Sequence, residues 1–218
     1  GGLRIENQQW GSDHSIGANS AGVSGVEVIK GPSSLLYGAD AIGGVIYFSD
    51  ESFVANDHFE IKLKSGYESN SIGTNSSGII KFAKNEFKIN VFGSYSNHSD
   101  YKTAQDGYVK NSRFSNASAG ISLGYHKRKW FTKVRYNFLT NSNGIPGHSH
   151  DSITILQDFL STTHSRKESI PVQKTANHYL MWENKWFLKK SIWKVTIANT
   201  NNLLSEYDEK VTIPAIKV

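Results

Sequence analysis

Two histidines one residue apart, His148 and His150 in GIPGHSHDS (Gly144 to Ser152), have the residue types and spacing that come nearest to metal chemistry. In an extended segment this spacing puts both imidazoles on one side, where they could bind a transition metal. Such a site usually needs three or four ligands, so Asp151 or the more distant His164 would have to complete it. The alternative is a pair of uncoordinated imidazoles in a solvated loop. Other chemistries find less. The chain has no cysteine, which rules out disulfides and thiolate metal sites and leaves the compartment open. HExxH and CxxC are absent, and Ser, His and Asp are too common to imply a triad, so no enzymatic reaction and no bound cofactor are expected. YGADAIGG, Tyr37 to Gly44, is rich in glycine but lacks the GxGxxG spacing and opens no long helix, which argues against a phosphate cradle. Lys127-Arg128-Lys129 and Lys189-Lys190 are isolated basic clusters, not a nucleic-acid-binding stripe.

The elements that must position these residues are strands. With 218 residues, 38% hydrophobic and 20% charged, the chain can fold a sizeable domain, and its net charge of +5 is spread along its length. No apolar run approaches the ~18–20 residues of a membrane-spanning helix, and there is no N-terminal signal pattern. Gly1-Gly2 and Lys217-Val218 read as the ends of a piece of a longer chain.

From about residue 58 the period is two. Phe59, Ile61, Leu63 and Tyr67 share one face of a strand, with Glu60, Lys62, Lys64 and Gly66 on the other. The pattern recurs around Ile80 and Phe82, from Phe87 to Tyr95, from Ala117 to Tyr125, from Trp130 to Phe138, from Leu180 to Leu188 and from Trp193 to Ile197. In the strand from Phe87 to Tyr95, Phe92 is the one apolar residue on the polar face. Roughly seven strands are predicted, each long enough to cross a bilayer at a tilt. Lys84-Asn85-Glu86, Lys127-Arg128-Lys129 and Lys189-Lys190-Ser191 read as tight turns, and Ser69–Ser77, Ser99–Asn116 and Asn141–Ala176 as long loops. Short and long connections alternate, which sorts them to opposite ends of an up-and-down barrel. Phe59, Tyr67, Phe87, Tyr95, Tyr125, Trp130, Trp182, Trp186 and Trp193 fall near strand ends, as in an interfacial girdle. A soluble β-sandwich or adhesin-like binding module with these rings in its core is the alternative.

Ahead of these strands lies VEVIKGPSSLLYGADAIGGVIYF, Val26 to Phe48. A short strand is broken at Gly31-Pro32, where Pro32 suits the first position of a helix. Ser33 to Tyr37 supply about one turn, Gly38 fits a left-handed helix end, and Gly43-Gly44 permit a reversal into a second strand. The unit is too small to fold alone and needs a surrounding wall. In its Lys-Gly-Pro, Leu-Tyr-Gly and Gly-Gly-Val-Ile elements it resembles the closing segment of the plug domain of TonB-dependent outer-membrane receptors. The resemblance implies an all-β fold, a partial transmembrane antiparallel β-barrel preceded by part of a plug. Residues 1–50 would be the C-terminal part of the plug and 51–218 the first, incomplete part of the barrel. The family's barrel has many more strands than are visible in this chain.

The same resemblance implies uptake of a scarce nutrient across the outer membrane of a Gram-negative bacterium. Its implied partners are TonB with its inner-membrane energising complex, outer-membrane lipid and a small-molecule ligand, with no nucleic acid. Plug loops in the family rise toward the outside, so Gln8, Gln9, Trp10, Asp13 and His14 could present an aromatic plate, a carboxylate and an imidazole to that ligand. Alternatively, Trp10 packs against the wall while Asp13 and His14 satisfy loop hydrogen bonds. Asp13-His14 beneath His148 and His150 favours a metal chelate, such as a siderophore or haem, over a sugar.

Overall fold

A computed structural model describes residues 22–38, 41, 43–104, 107–146 and 159–208. β1 (Val23–Ile29) and β2 (Val45–Asp50) flank a 3-10 helix, Pro32–Tyr37. β3 (His58–Glu68), β4 (Gly73–Lys84) and β5 (Phe87–His98) follow, then the short β6 (Lys102–Thr103) and β7 (Gly107–Val109). β8 (Phe114–Lys127), β9 (Trp130–Gly144), the two-residue β10 (Leu160–Ser161), β11 (Val172–Phe187) and β12 (Ile192–Tyr207) complete the described chain.

Long strands join in chain order, β3-β4-β5-β8-β9-β11-β12, into one seven-stranded antiparallel sheet. β1 and β2 pair as a separate hairpin, and β6, β7 and β10 make a small third sheet. The fold is all-β and is that of a partial β-barrel, with β3 and β12 as the open edges. In the large sheet the alternate faces behave oppositely to those of a soluble protein. Leu63, Phe87 and Trp193 are 79%, 65% and 64% exposed, whereas Lys81, Arg135 and Glu183 are only 4%, 5% and 6% exposed. The two-residue period thus points apolar side chains outward and encloses the polar ones. A sandwich would cover the apolar face with a second sheet, and no described element lies over it.

Rings concentrate at the turn end of the outer face. Phe87 packs on Tyr125 at 4.9 Å between centroids, and Tyr125 on Trp130 at 5.8 Å. Register carries the belt onward, since Trp186 lies opposite both Trp130 and Trp193. Trp182 departs from the expected strand-end position. It sits further into the apolar band, between Val134 and Ile197, and donates from its indole to Thr132 Oγ1 at 2.9 Å. With the belt fixing one boundary, strands of up to 16 residues exceed the roughly 9–11 needed to span a bilayer, so their surplus projects at the loop end.

The expected tight turns after β4, β8 and β11 are present. The expected long loops are shorter than predicted. β3 and β4 are joined by Ser69–Ile72 alone, so this connection breaks the strict alternation of short and long. Gly73 to Ser77 belong to β4, where Gly73 pairs with Glu68 and Thr74 lies between Tyr67 and Asn97. The other two loops also lose residues to strands, since β8 starts at Phe114, β9 reaches Gly144 and β11 starts at Val172. These flanking residues are small and polar. Their backbone groups gain ladder partners on both sides, and this outweighs their weak strand propensity.

Candidate functional site

Glycine geometry shapes the plug-like unit. Gly31 has φ 76° and starts the 3-10 helix, with Pro32 at its first position. The helix is closed by Gly38 N–H donating to Leu35 O at 3.2 Å. Gly38 is at φ 132°, ψ 165°, beyond the left-handed helical region expected from sequence and in the extended positive-φ region open almost only to glycine. Gly43 leads into Gly44, whose φ is 121° and where a Cβ would meet Ile29 O at 3.0 Å. Ser34 is buried, with its hydroxyl 2.8 Å from Gly31 O, and the Tyr37 ring lies 5.8 Å from that of Tyr47. The motif residues Gly31, Pro32, Tyr37, Gly38, Gly43 and Gly44 therefore build the reversal between β1 and β2.

This hairpin is fastened to the enclosed face of the sheet at both of its ends. Glu51 N–H donates to Gly22 O at 3.0 Å, closing the base of the hairpin. Arg135 Nη2 donates to the same Gly22 carbonyl at 3.1 Å, and its Nη1 meets Asp50 Oδ1 at 2.7 Å. Lys133 Nζ takes the other Asp50 oxygen at 3.0 Å. The Arg135 guanidinium also covers the Phe92 ring at 4.8 Å. That ring leaves no space beside it, since a Cβ at Gly22 or at Gly120 would lie 2.5 or 2.4 Å from Phe92 Cε2. Phe92, the apolar exception on a polar face, is thus the platform on which Arg135 and Gly22 rest.

The chain leaving β2 continues the seam. Glu51 pairs with Lys81, which also reaches Glu60 at 3.2 Å. Asn90 Nδ2 donates to Glu51 O at 3.2 Å, and Lys88 Nζ donates to Val54 O at 3.0 Å. Phe53 packs edge-on to Phe131 at 6.4 Å. Opposite charges remove much of the penalty for enclosing Lys81 and Arg135, and Arg135 also donates to Gly22 O and to Asn137 Oδ1.

At the loop end a second network ties three connections together. Asp100 accepts from Arg113 Nε at 2.9 Å and from Ser165 N–H at 3.2 Å. Arg166 donates to Asn97 O at 3.2 Å and to the Ile72 carbonyl. His98 bonds Ser71 Oγ at 2.7 Å and Asn75 Oδ1 at 2.9 Å while stacking on Phe114 at 4.3 Å. Glu168 accepts from Lys174 at 2.7 Å and from Ser142 at 3.1 Å. The Lys174 bond, foremost, holds its carboxyl below the ordinary glutamate range. A cavity of about 170 Å³ opens among these groups, bordered by Asn97, Arg113, Ser142, Arg166 and Glu168.

The sequence-derived ligand candidates Gln8, Gln9, Trp10, Asp13, His14, His148 and His150, with Asp151, lie outside the described residues. His164 is described, and its ring faces Tyr108 at 5.6 Å. Among the described residues no three His, Asp or Glu side chains are grouped to hold a metal. Sequence reasoning did not single out Asp50, Glu51, Lys81, Lys133 and Arg135 as a seam. The signal was present in the basic residues placed mid-strand on the polar face, together with the odd Phe92.

Residues 2–45 match the family model of the TonB-dependent receptor plug domain. Together with the antiparallel sheet of inverted polarity, the match supports reading the chain as part of a TonB-dependent receptor. The matched segment ends at Val45, the first residue of β2, so the reversal built by Gly31 to Gly44 is plug sequence.

Proposed function

We propose that this chain is part of an outer-membrane receptor that takes up a scarce nutrient with energy delivered by TonB, and that the nutrient is a metal chelate such as a siderophore complex or haem. Residues 1–50 form the C-terminal part of the plug and 51–218 the first part of the enclosing barrel. The observation that carries the reading is the seam itself. A hairpin that begins within the plug match is held at Gly22 and Asp50 by Arg135 and Lys133, and the chain leaving it at Glu51 by Lys81, on the enclosed face of a sheet whose other face is apolar and ringed with aromatics. TonB with its inner-membrane energising complex, outer-membrane lipid and a small-molecule ligand are the partners. The chelate class rests on Asp13, His14, His148 and His150, whose side chains suit a metal-containing ligand.

The test uses the full-length protein expressed in a Gram-negative host. Membranes are fractionated, and the outer-membrane band is examined for heat-dependent migration in detergent. Uptake of radiolabelled ferric chelates is then compared in cells with and without TonB. A heat-modifiable outer-membrane band and TonB-dependent uptake are expected. A soluble product, or uptake indifferent to TonB, overturns the reading.

A further inference from the structure

The enclosed wall divides sharply by charge. Toward the turns, the inward positions of β9 and β11 carry Lys133, Arg135, Glu183 and Lys185, which serve the seam or pair with one another. Toward the loops, the same two strands present Asn141 and Asn143 opposite Thr175 and Gln173, with Asn177 beyond them, and none of these is charged. Asn202 on β12 lies opposite Asn177 and extends the row. Asn141 Nδ2 donates to Thr175 Oγ1 at 3.1 Å. Asn177 Oδ1, Asn143 Nδ2 and Asn202 Oδ1, by contrast, are enclosed without a hydrogen-bond partner among the described residues. Asn177 is 1% exposed and Asn143 9%. Enclosed amide atoms left without a partner cost stability, so a wall needing only stability would have apolar residues there.

We infer that this amide row is a recognition surface for a ligand whose exterior is uncharged and rich in amide and hydroxyl groups, met along the wall as the plug gives way. The inference rests on the uptake reading and narrows its ligand. Side-chain amides offer a donor and an acceptor each, so adjacent ones can bond hydroxyls or amides in either sense. An anionic exterior would face acceptor oxygens in the row, and the one cation of β9 or β11 at this level, Lys174, alternates onto the opposite face, where it pairs with Glu168.

Binding is measured on the full-length receptor in outer-membrane vesicles with three probes: a neutral ferric trihydroxamate, a tri-anionic ferric tris-catecholate and the uncharged oligosaccharide maltoheptaose. The expected result is that a neutral probe binds at least tenfold tighter than the anionic one. Asn143→Leu combined with Asn177→Leu should weaken it about tenfold, with heat-modifiable migration unchanged. Asn177→Asp, nearly isosteric, should weaken it similarly, which guards against misfolding of the double variant. Maltoheptaose alone binding upholds the uncharged ligand and overturns the chelate. Preference for the tris-catecholate upholds the chelate and overturns this inference. Binding of none of the three, or binding indifferent to the variants, also overturns it.

Discussion

Arg135 on β9 and Asp50 at the end of β2 meet at 2.7 Å, and this pair joins the plug-matched hairpin to the enclosed wall. Arg135 is simultaneously on Gly22 O and over the Phe92 ring, so one side chain holds both ends of the hairpin. Arg135→Ala leaves Asp50 with Lys133 only and is expected to destabilise the seam by about 3–5 kcal/mol, the range for breaking an enclosed pair. Asp50→Asn should cost less, because the amide still accepts from one cation. A double-mutant cycle on thermal unfolding in detergent checks both, and additive losses would contradict a direct pair.

Gly22 is confined twice over. Its φ of 72° disfavours any side chain, and a Cβ would strike Phe92. The ring cannot retreat, because Gly120 and the Arg135 guanidinium flank it. Gly22→Ala should therefore lower stability by roughly 1–3 kcal/mol. Adding Phe92→Leu should recover only part of this, since the backbone strain persists. Melting temperatures of the three variants decide it, and full recovery would mean that the ring contact alone mattered.

Glu168 gives the loop-end cap a pH dependence of defined sign. Its carboxyl is held below the ordinary value, chiefly by Lys174, so its contribution is complete above the unfolded-state pKa and disappears as pH falls through the folded one. Protection of amides in residues 159–171 against hydrogen exchange should thus be flat at neutral pH and decline in acid. Half-exposure keeps the effect small. Glu168→Gln should remove the acid decline, and an unchanged profile in that variant would assign it to another group.

Period two made the sheet and its two faces legible in the sequence, because every strand from β3 to β12 in the large sheet repeats the contrast that Phe59 and Glu60 begin. Glycine and proline likewise located the reversal between β1 and β2. Strand ends were harder to read. Gly73 to Ser77 look like loop because nothing in their side chains records that both neighbouring backbones are within bonding reach. The seam was hidden for a related reason: Arg135 and Asp50 are 85 positions apart (135 − 50), and only the closing of the hairpin onto the wall brings their charges together. Gly38 was identified as a glycine-requiring position, but its region of φ and ψ depends on the path to Ala41, which local sequence does not specify.

The aromatic belt and Trp182 lie at different depths on the outer face, and lipid quenching can separate them. Trp130, Trp186 and Trp193 share the turn-end belt, while Trp182 is placed between Val134 and Ile197 within the apolar band. Amphipathic rings at a belt sit at headgroup level, whereas a mid-band indole needs an internal acceptor, which Thr132 supplies. In full-length receptor reconstituted as single-tryptophan variants, bromines near the bilayer centre should quench Trp182 more strongly than Trp193, and bromines near the headgroups the reverse. Thr132→Val should blue-shift the Trp182 emission by removing its polar acceptor and leave Trp193 unaffected. Equal quenching of both residues at every bromine depth would mean that this face does not meet lipid along its length, and the inverted polarity of the sheet would then need a protein partner to cover it.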